Sequence, residues 1–73
     1  MYEKSVADVE YMNGNYESAA AMYLEGAREG DAMAAFAYGY CLLYGIGVPC
    51  DCAEAKSYFA FARDIEEIGR AHV

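Results

Sequence analysis

The sequence predicts an all-α fold in which two antiparallel helical hairpins stack into a short right-handed solenoid. Alanine and larger apolar residues recur at helical spacing, and no alternating β-branched run marks a strand. The segment YESAAAMY at Tyr16–Tyr23 is echoed by CAEAKSYF at Cys52–Phe59, which sets Ala19 on Ala55 and Tyr23 on Phe59. The repeat is 36 residues, a period typical of helical units that bury their apolar faces against one another. A single domain over 1–73 follows, with one hairpin over 1–30 and a second over 31–68 that ends in an extended helix.

The first helix is expected from about Tyr2 to Met12, with Val6, Val9 and either Ala7 or Tyr11 facing inward. Asn13-Gly14-Asn15 ends it, because Gly or Asn accepts the left-handed conformation of a C-terminal cap. Asn15 is a good N-cap for the second helix, Tyr16 to Arg28. The inward stripe of that helix is Ala19, Ala20, Tyr23 and Ala27, small residues that permit close approach plus one aromatic anchor. Glu29-Gly30-Asp31 closes it, and Asp31 caps the third helix, Ala32 to Tyr44. Within the third helix Gly39 is costly, so a neighbouring helix is expected to approach it too closely for a side chain. Gly45 to Asp51 forms a long loop, in which Pro49 fixes its own φ and biases Val48 toward extended backbone. Asp51 caps the fourth helix, Cys52 to about Ile68, with Gly69 as its stop. Aligning Asn13-Gly14 with Tyr44-Gly45 gives an offset of 31 residues, so the first turn is the shorter by five.

The residues of the second hairpin carry a family likeness. The segment Ala32-x-Ala34-x-Phe36-x-Tyr38-Gly39-x-x-Leu42-x-x-Gly45-x-Gly47-Val48-Pro49-x-Asp51-x-x-x-Ala55-x-x-Tyr58-Phe59-x-x-Ala62 resembles a Sel-one-like repeat. This is the tetratricopeptide-type repeat with a lengthened loop between its helices. The likeness covers about half the chain. Upstream, Gly14-Asn15-Tyr16-Glu17-x-Ala19 resembles the turn of a shorter tetratricopeptide hairpin. Tyr38 and Leu42 stand where Leu and Tyr are usual, and Glu54 where Lys is common. The resemblance implies a scaffold or adaptor and brings no catalytic residue with it. It also implies that the first helix of each hairpin lines a concave groove. Tyr2, Val9 and Met12 would then come from the first helix and Phe36, Tyr40, Leu43 and Tyr44 from the third, unless some of these aromatics fill the core. No basic clamp accompanies them, so a carboxylate-terminated peptide is not the expected ligand.

Composition bounds the partner. The chain has 73 residues, 58% of them hydrophobic, and a net charge of −7 from 12 acidic and 5 basic side chains. So small a body hides that much apolar surface with difficulty, and two hairpins leave end faces uncovered. The acidity disfavours direct nucleic-acid binding, which rests on cations neutralising phosphates. It favours a basic protein partner through electrostatic steering, or serves solubility alone. No apolar run approaches the ~20 residues that span a bilayer, and no basic-then-apolar leader opens the chain. A soluble, cytoplasmic protein is expected.

Catalytic and metal constellations are poorly formed. Cys41, Cys50, Cys52 and His72 make a Cys₃His set on paper, but Cys-x-Cys replaces the usual Cys-x-x-Cys knuckle and His72 lies beyond a helix end. Three cysteines fit a reducing compartment better than a disulfide. Cys52, near a helix N-terminus, is the thiol whose pKa would be lowered, but His72 is no obvious base for it. Gly45-Ile46-Gly47 lacks the Lys-Ser or Lys-Thr of a phosphate loop, and Glu66-Glu67 is a solvated charge run. No enzyme activity, cofactor or metal is expected. Three function classes remain: an adaptor with an aromatic groove, a compact acidic inhibitor of a basic nucleic-acid-binding surface, and a homo-oligomer joined through its exposed ends, where Ile65 and Ile68 offer an apolar edge.

Overall fold

The computed structural model describes the backbone of residues 1–71 and the side chains through Ile68. It contains four helices: α1 (Lys4–Met12), α2 (Tyr16–Arg28), α3 (Ala32–Tyr44) and α4 (Cys52–Ala71), with no strand among the described residues. Each helix packs mainly on the next in the chain, and the α3–α4 pair is the most extensive.

The turns follow from their residues. After α1 and α2 the chain runs through Asn13-Gly14-Asn15 and Glu29-Gly30-Asp31, with both glycines at positive φ. The Asn15 N–H then bonds back to the Glu10 carbonyl at 2.9 Å, and the Asp31 N–H to that of Gly26 at 3.0 Å. These bonds satisfy carbonyls that a helix end leaves orphaned. Asp31 accepts from the Ala34 N–H at 3.0 Å, and Asp51 from the Glu54 N–H at 3.0 Å, so both aspartates cap as their positions suggest. Asn15 sits at the start of α2 without capping it, because its side chain donates to Glu10 Oε2 at 2.8 Å instead. The longer Gly45–Asp51 connection is stitched to α3 by bonds from the Ile46 N–H to Cys41 and the Asp51 N–H to Leu42. Gly47, at φ +73°, also lies against the backbone of Tyr16 and Glu17, where no side chain fits.

Three further sequence expectations are corrected. α1 begins at Lys4 rather than Tyr2, because the Tyr2 N–H donates to Glu29 Oε2 at 3.0 Å and holds the first residues extended. Of the two alternatives Ala7 and Tyr11, Ala7 is the inward residue and is fully buried, whereas Val6 and Val9, both expected inward, are 47% and 54% exposed. α4 does not stop at Gly69 but runs to Ala71, so that glycine is accepted at the helix-interior cost of ~1 kcal/mol.

The core explains the shift in α1. The molecule measures 38 × 27 × 15 Å, which leaves little depth for large side chains. Eight of the twelve buried apolar residues described are alanine, and Tyr23, Tyr38, Cys41 and Leu42 complete the set. Helices approach on their smallest residues, and larger apolar groups are displaced outward. Gly39 shows the same close packing: a Cβ there would lie 2.6 Å from Phe59 Cε1 on α4.

Candidate interaction groove

A hollow of about 230 Å³ opens between α1 and α3, lined by Tyr11, Tyr23, Ala37, Tyr40 and Ile46. Tyr23 forms its floor. This ring is buried, and its hydroxyl donates to Asp8 Oδ1 at 2.6 Å, so the polar tip is satisfied where the body is covered. Desolvation, followed by the bond to Asp8, raises the Tyr23 phenol above its ordinary range. In turn the Tyr23 hydroxyl, and then Lys4 at 2.9 Å, hold the Asp8 carboxyl below the usual carboxylate range. Asp8 is therefore a firm anion beside an apolar hollow.

Tyr40 forms one wall and extends the surface along α3. Its ring stands parallel to that of Tyr44, with 2° between planes and centroids 6.3 Å apart. The Phe59 ring supports it from α4, steeply inclined to it with centroids 5.3 Å apart. Tyr40 and Tyr44 are 54% and 67% exposed, so an aromatic pair is presented to solvent on a packed base. Facing it, Tyr11 is held edge-on by Tyr16 at 5.2 Å.

The other residues expected at the groove have separate places. Tyr2 packs against Tyr23 at 6.4 Å and covers Gly26, where a Cβ would lie 2.7 Å from its Cγ. Its phenol is pushed up to about 12, first by desolvation. Phe36 rests on the small cluster of Ala27, Ala35 and Ala62, and Leu43 on the main core. Val9 and Met12 are open to solvent and do not line the hollow. Tyr11, Tyr23, Ala37 and Ile46 were not among the groove residues expected from the sequence. Aligning Gly14 with Gly45 would have exposed part of the reason: buried Tyr38 and Leu42 then fall on Ala7 and Tyr11, the face of α1 that turns inward.

No acid–base or metal chemistry assembles elsewhere in the described residues. Cys41 is buried, while Cys50 and Cys52 are exposed, and no three His, Cys, Asp or Glu side chains gather in a ligating group among the described residues. His72 lies outside the described residues. The Cys50 thiol donates to the Leu43 carbonyl at 3.2 Å and is raised, first by desolvation and then by Cys52. Neither effect activates a nucleophile, since attack requires the thiolate. A wider, open notch of about 590 Å³ lies at the α1–α2 turn between Glu10, Tyr16, Glu17 and Gly47. No helix among the described residues is long and apolar enough to cross a membrane. In comparisons with family models, curated proteins and solved structures, none matches this chain.

Proposed function

We propose that this chain is a non-catalytic protein–protein interaction module, built as a short stack of two hairpins of the Sel-one-like repeat type. It receives a partner segment in the groove between α1 and α3. The observation that carries this reading is the exposed Tyr40–Tyr44 pair beside the Tyr11–Tyr23 hollow. Tyrosine supplies large contact area with a polar tip and is enriched among residues that dominate binding energy. The stacked arrangement draws support from the helices' packing in chain order. It draws further support from Val9 and Tyr40, which fall on one another when the turns are aligned and are each 54% exposed. Three unpaired cysteines accord with a cytoplasmic setting.

Two rival readings have an observation each. The net charge of −7 and the exposed Glu17 and Glu25 on α2, with Glu29 just past its end, suit an acidic inhibitor of a basic nucleic-acid-binding surface. Exposed Phe61 and Ile68 on α4 suit end-to-end self-association. Capture of the partner by three immobilised forms separates the first two readings. Tyr40→Ala with Tyr44→Ala should lower affinity at least about tenfold, since truncating a central aromatic costs ~2 kcal/mol or more. Charge reversal at Glu17 should leave capture unchanged; Glu25 and Glu29 are kept, because they hold the Met1 amine and the Tyr2 N–H. The opposite pattern would establish the acidic-inhibitor reading, and a molar mass that rises with concentration in light scattering would establish the third.

A further inference from the structure

We infer that Cys50 and Cys52 form a redox-sensitive dithiol, which closes reversibly to an intramolecular disulfide by exchange with a small disulfide of the glutathione class while Cys41 stays reduced. The pair lies in the Gly45–Asp51 loop and at the start of α4, and its chemistry is independent of what fills the groove.

The first observation is the division of the three cysteines. Cys41 is 2% exposed and its thiol is raised, chiefly by desolvation, so it neither meets an oxidant nor offers a thiolate. Cys50 and Cys52 are both exposed. Access decides which thiols react, and here it resolves the odd count into one reactive pair and one core residue.

The second observation is how the pair is held. Asp51 alone separates the two cysteines, and two peptide units span at most about 7 Å between Cα atoms, the range over which disulfides form. The Asp51 N–H donates to the Leu42 carbonyl at 2.9 Å, its own carbonyl accepts from the Ala55 N–H at 2.9 Å, and Oδ1 accepts from the Glu54 N–H at 3.0 Å. The backbone between the sulfurs is therefore fixed by α3 on one side and α4 on the other. Cys50 is further seated by its thiol, which donates to the Leu43 carbonyl at 3.2 Å. The two side chains also feel one another: after desolvation, the charge of Cys52 and a hydrogen bond with it raise the Cys50 thiol.

This arrangement assigns the order of exchange. Cys50 commits its proton to Leu43 and is the poorer first attacker, so the Cys52 thiolate attacks one sulfur of the glutathione disulfide, and the other sulfur leaves as a glutathione thiolate. Cys50 then gives its proton to solvent and attacks the Cys52 sulfur, which forms the protein disulfide and releases the second glutathione thiolate. Two protein thiols are oxidised and one glutathione disulfide is reduced to two thiols. The raised pKa of Cys50 makes its thiolate the stronger nucleophile once formed, and the tether supplies a high effective concentration. An exposed bond closed over one residue gains little loop entropy and is readily reduced again. Such labile disulfides are the redox-sensing kind that a reducing compartment tolerates.

The intact chain is incubated with oxidised glutathione, quenched in acid and weighed by mass spectrometry. The natural sequence should lose two hydrogens and retain no glutathione, and cleavage on the amino side of Asp51 should leave fragments that separate only when a reductant is added. A maleimide applied to the oxidised chain in denaturant should then label Cys41 alone. Cys50→Ser, at an exposed site, should stop at a mixed disulfide that carries one glutathione on Cys52. In nuclear magnetic resonance the amide of Tyr44, whose peptide unit contains the Leu43 carbonyl, should shift on oxidation and return with dithiothreitol. A glutathione adduct that persists on the natural sequence would overturn the pairing. A bond to Cys41 or to a second chain would overturn the assignment, and no reaction at millimolar oxidised glutathione would overturn the proposal outright.

Discussion

Replacing Gly39 with alanine sets two effects of similar size against each other. In an open helix the change would stabilise by about 1 kcal/mol, the propensity difference between the residues. Here the new Cβ would lie 2.6 Å from Phe59 Cε1 and 2.9 Å from Cδ1. The Phe59 ring has little room to withdraw, because Tyr40 meets it at 5.3 Å and Phe36 at 6.1 Å between centroids. Overpacking of this kind costs ~1–3 kcal/mol, so Gly39→Ala should be neutral to about 2 kcal/mol destabilising. Gly39→Leu adds three more heavy atoms and should lose more than ~2 kcal/mol, a fall in Tm of about 10 °C or more for a domain this small. The assay is urea unfolding followed by circular dichroism, on a double-mutant cycle with Phe59→Ala. Removing the ring should relieve the clash, giving a favourable coupling of at least ~1 kcal/mol between the two sites. Stabilisation by Gly39→Ala, or additivity with Phe59→Ala, would refute the close approach of α3 to α4.

Gly47→Ala should destabilise by ~2 kcal/mol or more in the same assay, because a side chain at positive φ is strained and would strike the backbone of Tyr16, which cannot rotate away. Asp31→Ala should cost ~1 kcal/mol in a thermal melt through loss of the cap on Ala34, and Asp31→Asn should recover most of it. Alkaline stability offers a further check. The Tyr2, Tyr23 and Tyr38 phenols are all raised above 10.0 in the fold, each chiefly by desolvation. A raised pKa favours the protonated form in the folded state, so this stability is intact below pH 10 and is lost as pH rises beyond it. Tm should fall from about pH 10 upward, and Tyr23→Phe should flatten the fall, whereas an unchanged slope would contradict the buried role of that phenol.

The turns and α2 were legible because each rests on local chemistry. Asn-Gly-Asn, Glu-Gly-Asp and Gly-x-Gly-Val-Pro-x-Asp specify their own backbone, and Ala19, Ala20, Tyr23 and Ala27 form a single stripe. α1 was not legible in the same way. It is only nine residues long, with Val6, Val9 and Tyr11 spread around it, so hydrophobicity selects the valines and leaves Ala7 only as an alternative to Tyr11. In a body 15 Å thick the contact with α2 goes to the smallest residue, Ala7, and the partly exposed Asp8 accepts from the Tyr23 hydroxyl beside it. The groove suffered from the same error of phase. Tyr40 was legible as an exposed aromatic on α3, whereas Tyr11 and Tyr23 join it only through the relative placement of three helices and the Ile46 loop. Gly69 misled because glycine ends a helix only where the chain then turns, and nothing local to Ile68 and Arg70 demands a turn.

The groove as docking surface is tested most directly by a photoreactive phenylalanine analogue, placed at Tyr40 in one form of the protein and at Glu25 in another. Both positions are exposed, so neither substitution should disturb the core. Irradiation in a lysate of the native host should join the partner to the analogue at position 40 and leave the form carrying it at position 25 unmodified. An adduct formed from position 25 and absent from position 40 would place the partner on α2 and contradict the account.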